Sequence, residues 1–313
     1  MLISWKNFCL LSLTSSSLAL ISSCGSDSED APPPLVGTIQ SSSAPAAGVY
    51  QKALEADRAG KSSKALKLYQ QTADNYPSAK EAPQARFRQA QLLEQQGEKL
   101  KAFEAYNDFL KRYQGSSLYS QALARESALS KDANAGNVKS GFMFGSKLGA
   151  DKKVEMLQHV RDAAPQASTA PQAQFDIGEV YANEGDSANA IAAYRKLVQD
   201  WPESNQAPEG LYRIGIILTE EAKRGNQDNG NLDRAREVFQ DYLNSYPNGK
   251  RAGDARKQIA QLGAQDAQRS YDVAEFYRRK GDKESARFYY REVLKKQGFG
   301  DLHDKAQSRL SSL

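Results

Sequence analysis

At 313 residues the chain is long enough for one large core or several small ones. Charged residues make up 26% and hydrophobic ones 40%, with a mean hydropathy of −0.68, a wet balance that excludes a single greasy globule and points to a modular helical surface. The 42 basic and 38 acidic side chains leave a formal charge of +4, and nothing in that balance concentrates a basic face for nucleic acid.

Residues 8–21 are apolar apart from Ser and Thr and follow Trp5, Lys6 and Asn7. A run of about 14 residues is shorter than the roughly 20 that span a bilayer, so residues 1–23 read as a signal peptide. Cys9 lies within that run, which leaves Cys24 as the one remaining thiol and excludes an internal disulfide. Ile21-Ser22-Ser23-Cys24 resembles the bacterial lipobox, with Ile where Leu is commoner. The resemblance implies that Cys24 is lipidated; with Gly25 rather than Asp after it, it also implies the outer membrane, lipid-anchored and facing the periplasm. The plainer alternative is an ordinary cleaved signal peptide with an incidental cysteine. Residues 24–48 are rich in Ser, Pro, Ala and Asp and nearly lack large apolar groups, so they read as a disordered tether.

From Val49 onward one pattern keeps returning. Residues 49–115 hold two copies. The first carries Ala53, Gly60, Ala65, Tyr69 and Pro77, and the second Ala90, Gly97, Ala102, Tyr106 and Phe109, with Gln114 where the first has Pro. Residues 116–170 hold a degenerate pair, with helices expected over 118–130 and 152–163, Val154 at the second small-residue position and Pro165 near the end. The Gly-rich loop between them contains Phe142, Met143 and Phe144, expected to tuck under the neighbouring pair or, less simply, to touch a partner. Residues 171–249 hold two further copies: one with Gly178, Tyr181, Gly185-Asp186, Ala190, Tyr194, Leu197 and Pro202, the other with Gly215, Ala235, Phe239, Tyr242 and Pro247 around a polar insertion. Residues 250–313 hold the last copy, with Ala274, Tyr277, Gly281-Asp282, Ala286, Tyr290 and Val293, and an amphipathic tail that reads as a capping helix.

The pattern resembles the 34-residue tetratricopeptide repeat. On that family's ruler the small residues fall at places 8 and 20, where paired helices come closest, the aromatics at 11 and 24, and Pro at 32, where the second helix ends. The resemblance implies an all-α, right-handed superhelical solenoid of five clear helix pairs and one degenerate one. Its concave face would be lined by the first helix of each pair at places 2, 5, 9 and 12. Place 5 is aromatic in all five clear copies: Tyr50, Phe87, Phe175, Tyr212 and Tyr271. Such a ladder of rings suits an extended peptide, although the same rings could simply pack between helices. With Glu94, Glu179 and Arg278 beside them they form the expected protein-binding groove, near Gln84, Gln172 and Glu209.

No catalytic constellation emerges, so the expectation is a binding protein without enzyme activity, cofactor or metal. His159 and His303 each stand on a helix without metal-ligand spacing, and the glycines of residues 141–145 are followed by no Lys-Ser/Thr phosphate-binding step.

A lipobox, a Pro- and Ser-rich tether and slightly lengthened repeats together resemble the BamD family of outer-membrane lipoproteins, most closely over residues 50–113 and 271–294. The resemblance implies a part in assembling β-barrel proteins into the outer membrane. Partners would be other subunits of the assembly complex and unfolded outer-membrane protein segments, with substrate near Tyr50, Phe87 and Glu94 and a partner subunit near residues 271–291. The rivals are a secretin pilotin, a Tol-Pal-type coordinator and, more remotely, a small-molecule-binding lipoprotein. Pilotins keep a regular 34-residue spacing, whereas Ala65 to Ala102 is 37 residues and Ala235 to Ala286 is 51.

Overall fold

A computed structural model describes residues 43–140, 146–224, 229–296 and 300–313. The signal-peptide and Cys24 expectations lie outside the described residues, as does the tether up to residue 42; its last residues, 44–48, are helix and not tether, because Ser43 caps the first helix, Pro45 suits its first turn and Ala46 is buried. Five antiparallel pairs run in chain order: α1 (Ala44–Arg58) with α2 (Ser62–Asn75), α3 (Ala82–Gln95) with α4 (Lys99–Arg112), α5 (Tyr119–Asn134) with α6 (Ala150–Ala163), α7 (Thr169–Asn183) with α8 (Ser187–Asp200), and α9 (Ala207–Arg224) with α10 (Asn229–Ser245). Then come α11 (Ala252–Lys280), α12 (Lys283–Lys295) and α13 (Gly300–Ser311). Each helix packs on the next, so the chain is an all-α solenoid. No described helix is long and apolar enough to cross a membrane.

The turn inside a pair is set by glycine. Gly60, Gly97, Gly136, Gly185 and Gly281 all take φ between 70° and 80°, a region a side chain disfavours. At each, the residue after the glycine donates its N–H back across the turn, as from Asp186 to the Tyr181 carbonyl (2.9 Å) and from Asp282 to that of Tyr277 (3.1 Å). Asp186 and Asp282 then cap α8 and α12 by accepting from the N–H groups of Asn189 and Ser285.

Small residues decide how closely the helices of a pair approach. Ala53, Ala65, Ala90, Ala102, Ala190, Ala235, Ala274 and Ala286 are wholly buried, as are the place-24 rings Tyr69, Tyr106, Tyr194, Phe239 and Tyr290. At place 8 of the fourth and fifth pairs the rings lie directly on glycine. A Cβ at Gly178 would sit 2.4 Å from the Tyr194 ring, and one at Gly215 would sit 2.6 Å from Phe239. Gly215→Ala should therefore lower stability by about 1–2 kcal/mol, since a fully buried ring must move to admit the methyl. Chemical denaturation measures it, and an unchanged midpoint would remove the close-approach argument.

Two departures from the sequence reading concern connections. The 51-residue interval between Ala235 and Ala286 is taken up by α11, a single helix of 29 residues, about 43 Å long at 1.5 Å per residue. Its first half buries Ala252, Ala255 and Leu262 in the cluster of Phe239 and Tyr242, and its second half buries Ala274 against Tyr290 and Val293. In the degenerate pair, the connection expected to be loop throughout contains a short antiparallel rung, β1 (Lys139–Ser140) with β2 (Ser146–Lys147). Val138 and Leu148, which flank the rung, are buried; Phe142, Met143 and Phe144 lie outside the described residues.

Candidate protein-binding groove

The aromatic ladder is built inward. Each place-5 ring packs on a ring of its own pair's second helix: Tyr50 on Tyr69 at 5.9 Å, Phe87 on Tyr106 at 5.6 Å, Phe175 on Tyr194 at 5.5 Å, Tyr212 on Phe239 at 5.5 Å and Tyr271 on Tyr290 at 5.7 Å. Phe87 is only 6% exposed and also meets Phe109, so it is a core residue and not a groove contact. The physical reason is that place 24 of its own pair supplies Tyr106, and Phe109 follows, so Phe87 is enclosed between two rings. Tyr50, Phe175, Tyr212 and Tyr271 stay half-buried, and the Arg251 guanidinium lies over the Tyr212 ring at 5.2 Å.

The carboxylates of the groove are engaged as well. In the first pair the Tyr69 hydroxyl donates to Asp57 (3.1 Å), and Arg88 from the next pair donates to both Asp57 oxygens (2.7 and 3.2 Å). The second pair repeats this with Tyr106 donating to Glu94 at 3.4 Å and Arg125 donating to Glu94 through two nitrogens. In the fourth, Tyr194 donates to Glu179 and Arg213 Nε lies 3.4 Å from it. In the last, Tyr290 donates to Glu275, Arg309 of α13 stands 3.3 Å away, and Arg278 donates to the same carboxylate at 2.9 Å. The Arg88 guanidinium holds Asp57 below the usual carboxylate range, and Arg278 does the same for Glu275. Burial raises the four phenols, keeping them as donors.

These nodes obey a rule within the one chain. The tyrosine is at place 24, the acid at place 9 or 12, and the arginine at place 6 of the following first helix, counting α13 as such a helix from Ala306, which is buried like Ala85. Where the phenol is missing, so are its partners. The fifth pair has Phe239, with Ile216 and Thr219 at places 9 and 12 and Gln258 at place 6 of the helix after it. The third pair has no tyrosine in α6, and α7 carries Asp176 at place 6. Glu94, Glu179 and Arg278, expected to face a ligand, are thus tied into joints between or beside helices. The arginines of place 6 were missed from sequence, although their appearance only after a tyrosine-bearing pair was a readable signal.

What stays open on the inner helices is a row of amides at place 2. Gln84 and Gln121 are exposed and make no hydrogen bond among the described residues, whereas Gln172 is closed off, donating to Asp176 (2.8 Å) and accepting from Gln206 (2.8 Å). Amides supply both donors and acceptors, which suits the backbone of an extended chain. Between α7 and α9 lies a cleft of about 190 Å³ lined by Glu179, Tyr194, Arg213, Ile216 and Ile217. Among the described residues no group of three or more His, Cys, Asp or Glu side chains could hold a metal ion. His159 is held below its usual range by burial, and His303 Nε2 is 2.7 Å from the Lys296 carbonyl oxygen.

One buried group belongs to no joint. Glu126 in α5 is wholly buried, neither carboxylate oxygen has a hydrogen-bond partner, and burial pushes its carboxyl up to about 8.

Stacked pairs with a solvent-lined row of first helices define a tetratricopeptide scaffold, a class of protein-interaction modules. A tetratricopeptide-repeat model matches residues 50–117, and the outer membrane lipoprotein model YfiO matches residues 145–308. The chain belongs to this outer membrane lipoprotein family, that of BamD. No curated protein sequence matches it. Solved structures that resemble it include MamA of Desulfovibrio magneticus RS-1 (17% identity, 66% of this chain and 98% of that one, TM-score 0.30) and a tetratricopeptide protein of Thermus thermophilus (17%, 69% and 98%, 0.32). PilF of Pseudomonas aeruginosa is another (13% identity, 84% and 97% covered, TM-score 0.29).

Proposed function

We propose that the protein is a lipid-anchored, periplasm-facing scaffold of the outer membrane, a BamD-like component that assembles and inserts β-barrel proteins. The observation that carries this reading is the family match over residues 145–308. In this reading residues 1–23 are a signal peptide, Cys24 carries the acyl chains, and residues 25–43 are the tether that leads to the repeats. Each buried methylene contributes roughly 0.8 kcal/mol, so several chains hold the protein durably. Anchoring raises the local concentration of the groove for partner subunits and unfolded barrel segments without tight single contacts. The amides Gln84 and Gln121 would engage an extended backbone, with the half-buried edges of Tyr50, Phe175, Tyr212 and Tyr271 beside them. No step needs a cofactor, a metal or a catalytic residue.

Affinity capture of the lipidated protein from gently solubilised envelopes tests the proposal. The barrel-forming subunit and outer-membrane protein segments should co-purify, and Gln84→Leu with Gln121→Leu should deplete the segments while sparing the subunit. Recovery of a secretin in their place would assign the protein a pilotin role.

A further inference from the structure

Phe276 and Phe288 are the exposed large hydrophobic side chains of the described residues, at 44% and 56% exposure, and both belong to the last pair. They stand at the two ends of one continuous aromatic row across α11 and α12. Phe276 meets Tyr277 at 5.4 Å, Tyr277 stacks on Tyr289 at 5.7 Å with planes 6° apart, and Tyr289 meets Phe288 at 5.2 Å. Such a row on a water-soluble surface calls for a covering partner.

The charges around the row identify that partner. Arg279 and Lys280 follow Phe276 by three and four residues on the same helical face, Arg291 follows Phe288 by three, and Lys283 opens α12. All four are exposed and none is in an ion pair among the described residues; the Lys280 ammonium rests over the Phe276 ring at 4.8 Å. Of the neighbouring acids Glu284 pairs with Arg287 (2.7 Å), while Asp272, which accepts from Gln268 (2.9 Å), and Asp282, which caps α12, keep their charge against four cations. The face therefore presents aromatic rings rimmed by an excess of cations. Rings sit well at the boundary of water and hydrocarbon, and lysine and arginine reach the phosphates above it.

We infer that the Phe276–Phe288 face docks on a phospholipid surface bearing anionic headgroups. The inference rests on the membrane-anchored reading above and adds to it. With an anchor preceding α1 and a headgroup contact on α11 and α12, the chain would touch the bilayer at two places far apart in its sequence.

The test uses the processed, lipidated full chain with Glu284→Cys, a site 85% exposed, labelled with an environment-sensitive fluorophore. Acylation of Cys24 leaves the introduced thiol as the only one, so two labels per chain would reveal an unmodified Cys24. On vesicles of phosphatidylethanolamine with phosphatidylglycerol, emission should shift to the blue and be quenched by brominated acyl chains. The shift should vanish on phosphatidylcholine vesicles and in the Phe276→Ser, Phe288→Ser double variant, whose apparent affinity for the anionic surface should fall roughly tenfold or more. A label at Lys67→Cys in α2 should stay wet. Flotation with the vesicles but no shift at position 284 overturns the inference and leaves the anchor standing. A shift accompanied by flotation that high salt abolishes upholds the patch and sinks the anchor, because salt screens headgroup contacts and not acyl chains. A shift that needs added envelope protein instead of lipid assigns the face to a protein partner and overturns the inference.

Discussion

Glu126→Gln should raise the thermal stability of the protein strongly at pH 8 and leave it almost unchanged at pH 4. The carboxyl of Glu126 is wholly buried, has no hydrogen-bond partner on either oxygen, and loses its proton only near pH 8, against about 4.5 when the chain is unfolded. Between those values the unfolded chain has released the proton and the folded chain has kept it. Stability therefore falls as pH rises from about 4.5 to about 8, and stays at its lower level above that. The total is on the order of 5 kcal/mol, near 1.4 kcal/mol for each pH unit, which for a chain of this size is a midpoint shift on the order of 10 °C. The variant lacks the slope because its amide does not ionise. Paired melts followed by circular dichroism from pH 4 to pH 9 check it, and curves that run parallel across the range would sink the claim. The position itself explains why the carboxylate is anomalous. It is place 7, which three other first helices bury as Gln89, Ile177 and Ile214, so a core site has received a carboxyl with no hydrogen-bond partner, the charge of Lys111 offsetting its burial only in part.

Much of the fold was legible because tetratricopeptide pairs are specified locally. Ala53 with Ala65, or Gly178 with Ala190, mark where backbones meet, and Gly60 or Gly185 marks the turn through a conformation that disfavours a side chain. The fusion that makes α11 was not legible. Residues 252–280 contain no proline, and Gly253 and Gly263 alone do not end a helix, so only the 51-residue interval hinted at an irregularity. The groove was read less well than the fold, and for a physical reason. Spacing tells which residues share a helical face, but whether a ring at place 5 faces a ligand depends on what stands across from it. Phe87 has Tyr106 and Phe109 across from it and is lost to the core. Glu94 and Glu179 stand on the first helices of their pairs, yet the arginines of the following pair, 31 and 34 residues on, take them up. A side chain's partner in a solenoid lies one repeat away, which a reading made one repeat at a time overlooks.

That dependence between neighbouring repeats leads to the second large effect. Phe239→Tyr should cost roughly 2–3 kcal/mol, although the same tyrosine at the same place is native in four other pairs. The fifth pair is the close counterpart of the fourth: Phe239 lies on Gly215 as Tyr194 lies on Gly178, ring carbons 2.6 and 2.4 Å from where a Cβ would be. A hydroxyl added to Phe239 would therefore point where the Tyr194 hydroxyl finds Glu179, but Ile216 stands there and accepts nothing. Ile216→Glu supplies the acceptor and Gln258→Arg supplies the cation that Arg213 provides to the fourth pair. The triple variant should recover most of the loss, whereas Ile216→Glu and Gln258→Arg without the new tyrosine should not stabilise the protein. Urea unfolding of the single, double and triple variants reads the coupling. Additive energies would mean that the nodes are independent surface contacts, and the joint between successive pairs would have to be sought in their buried small residues alone.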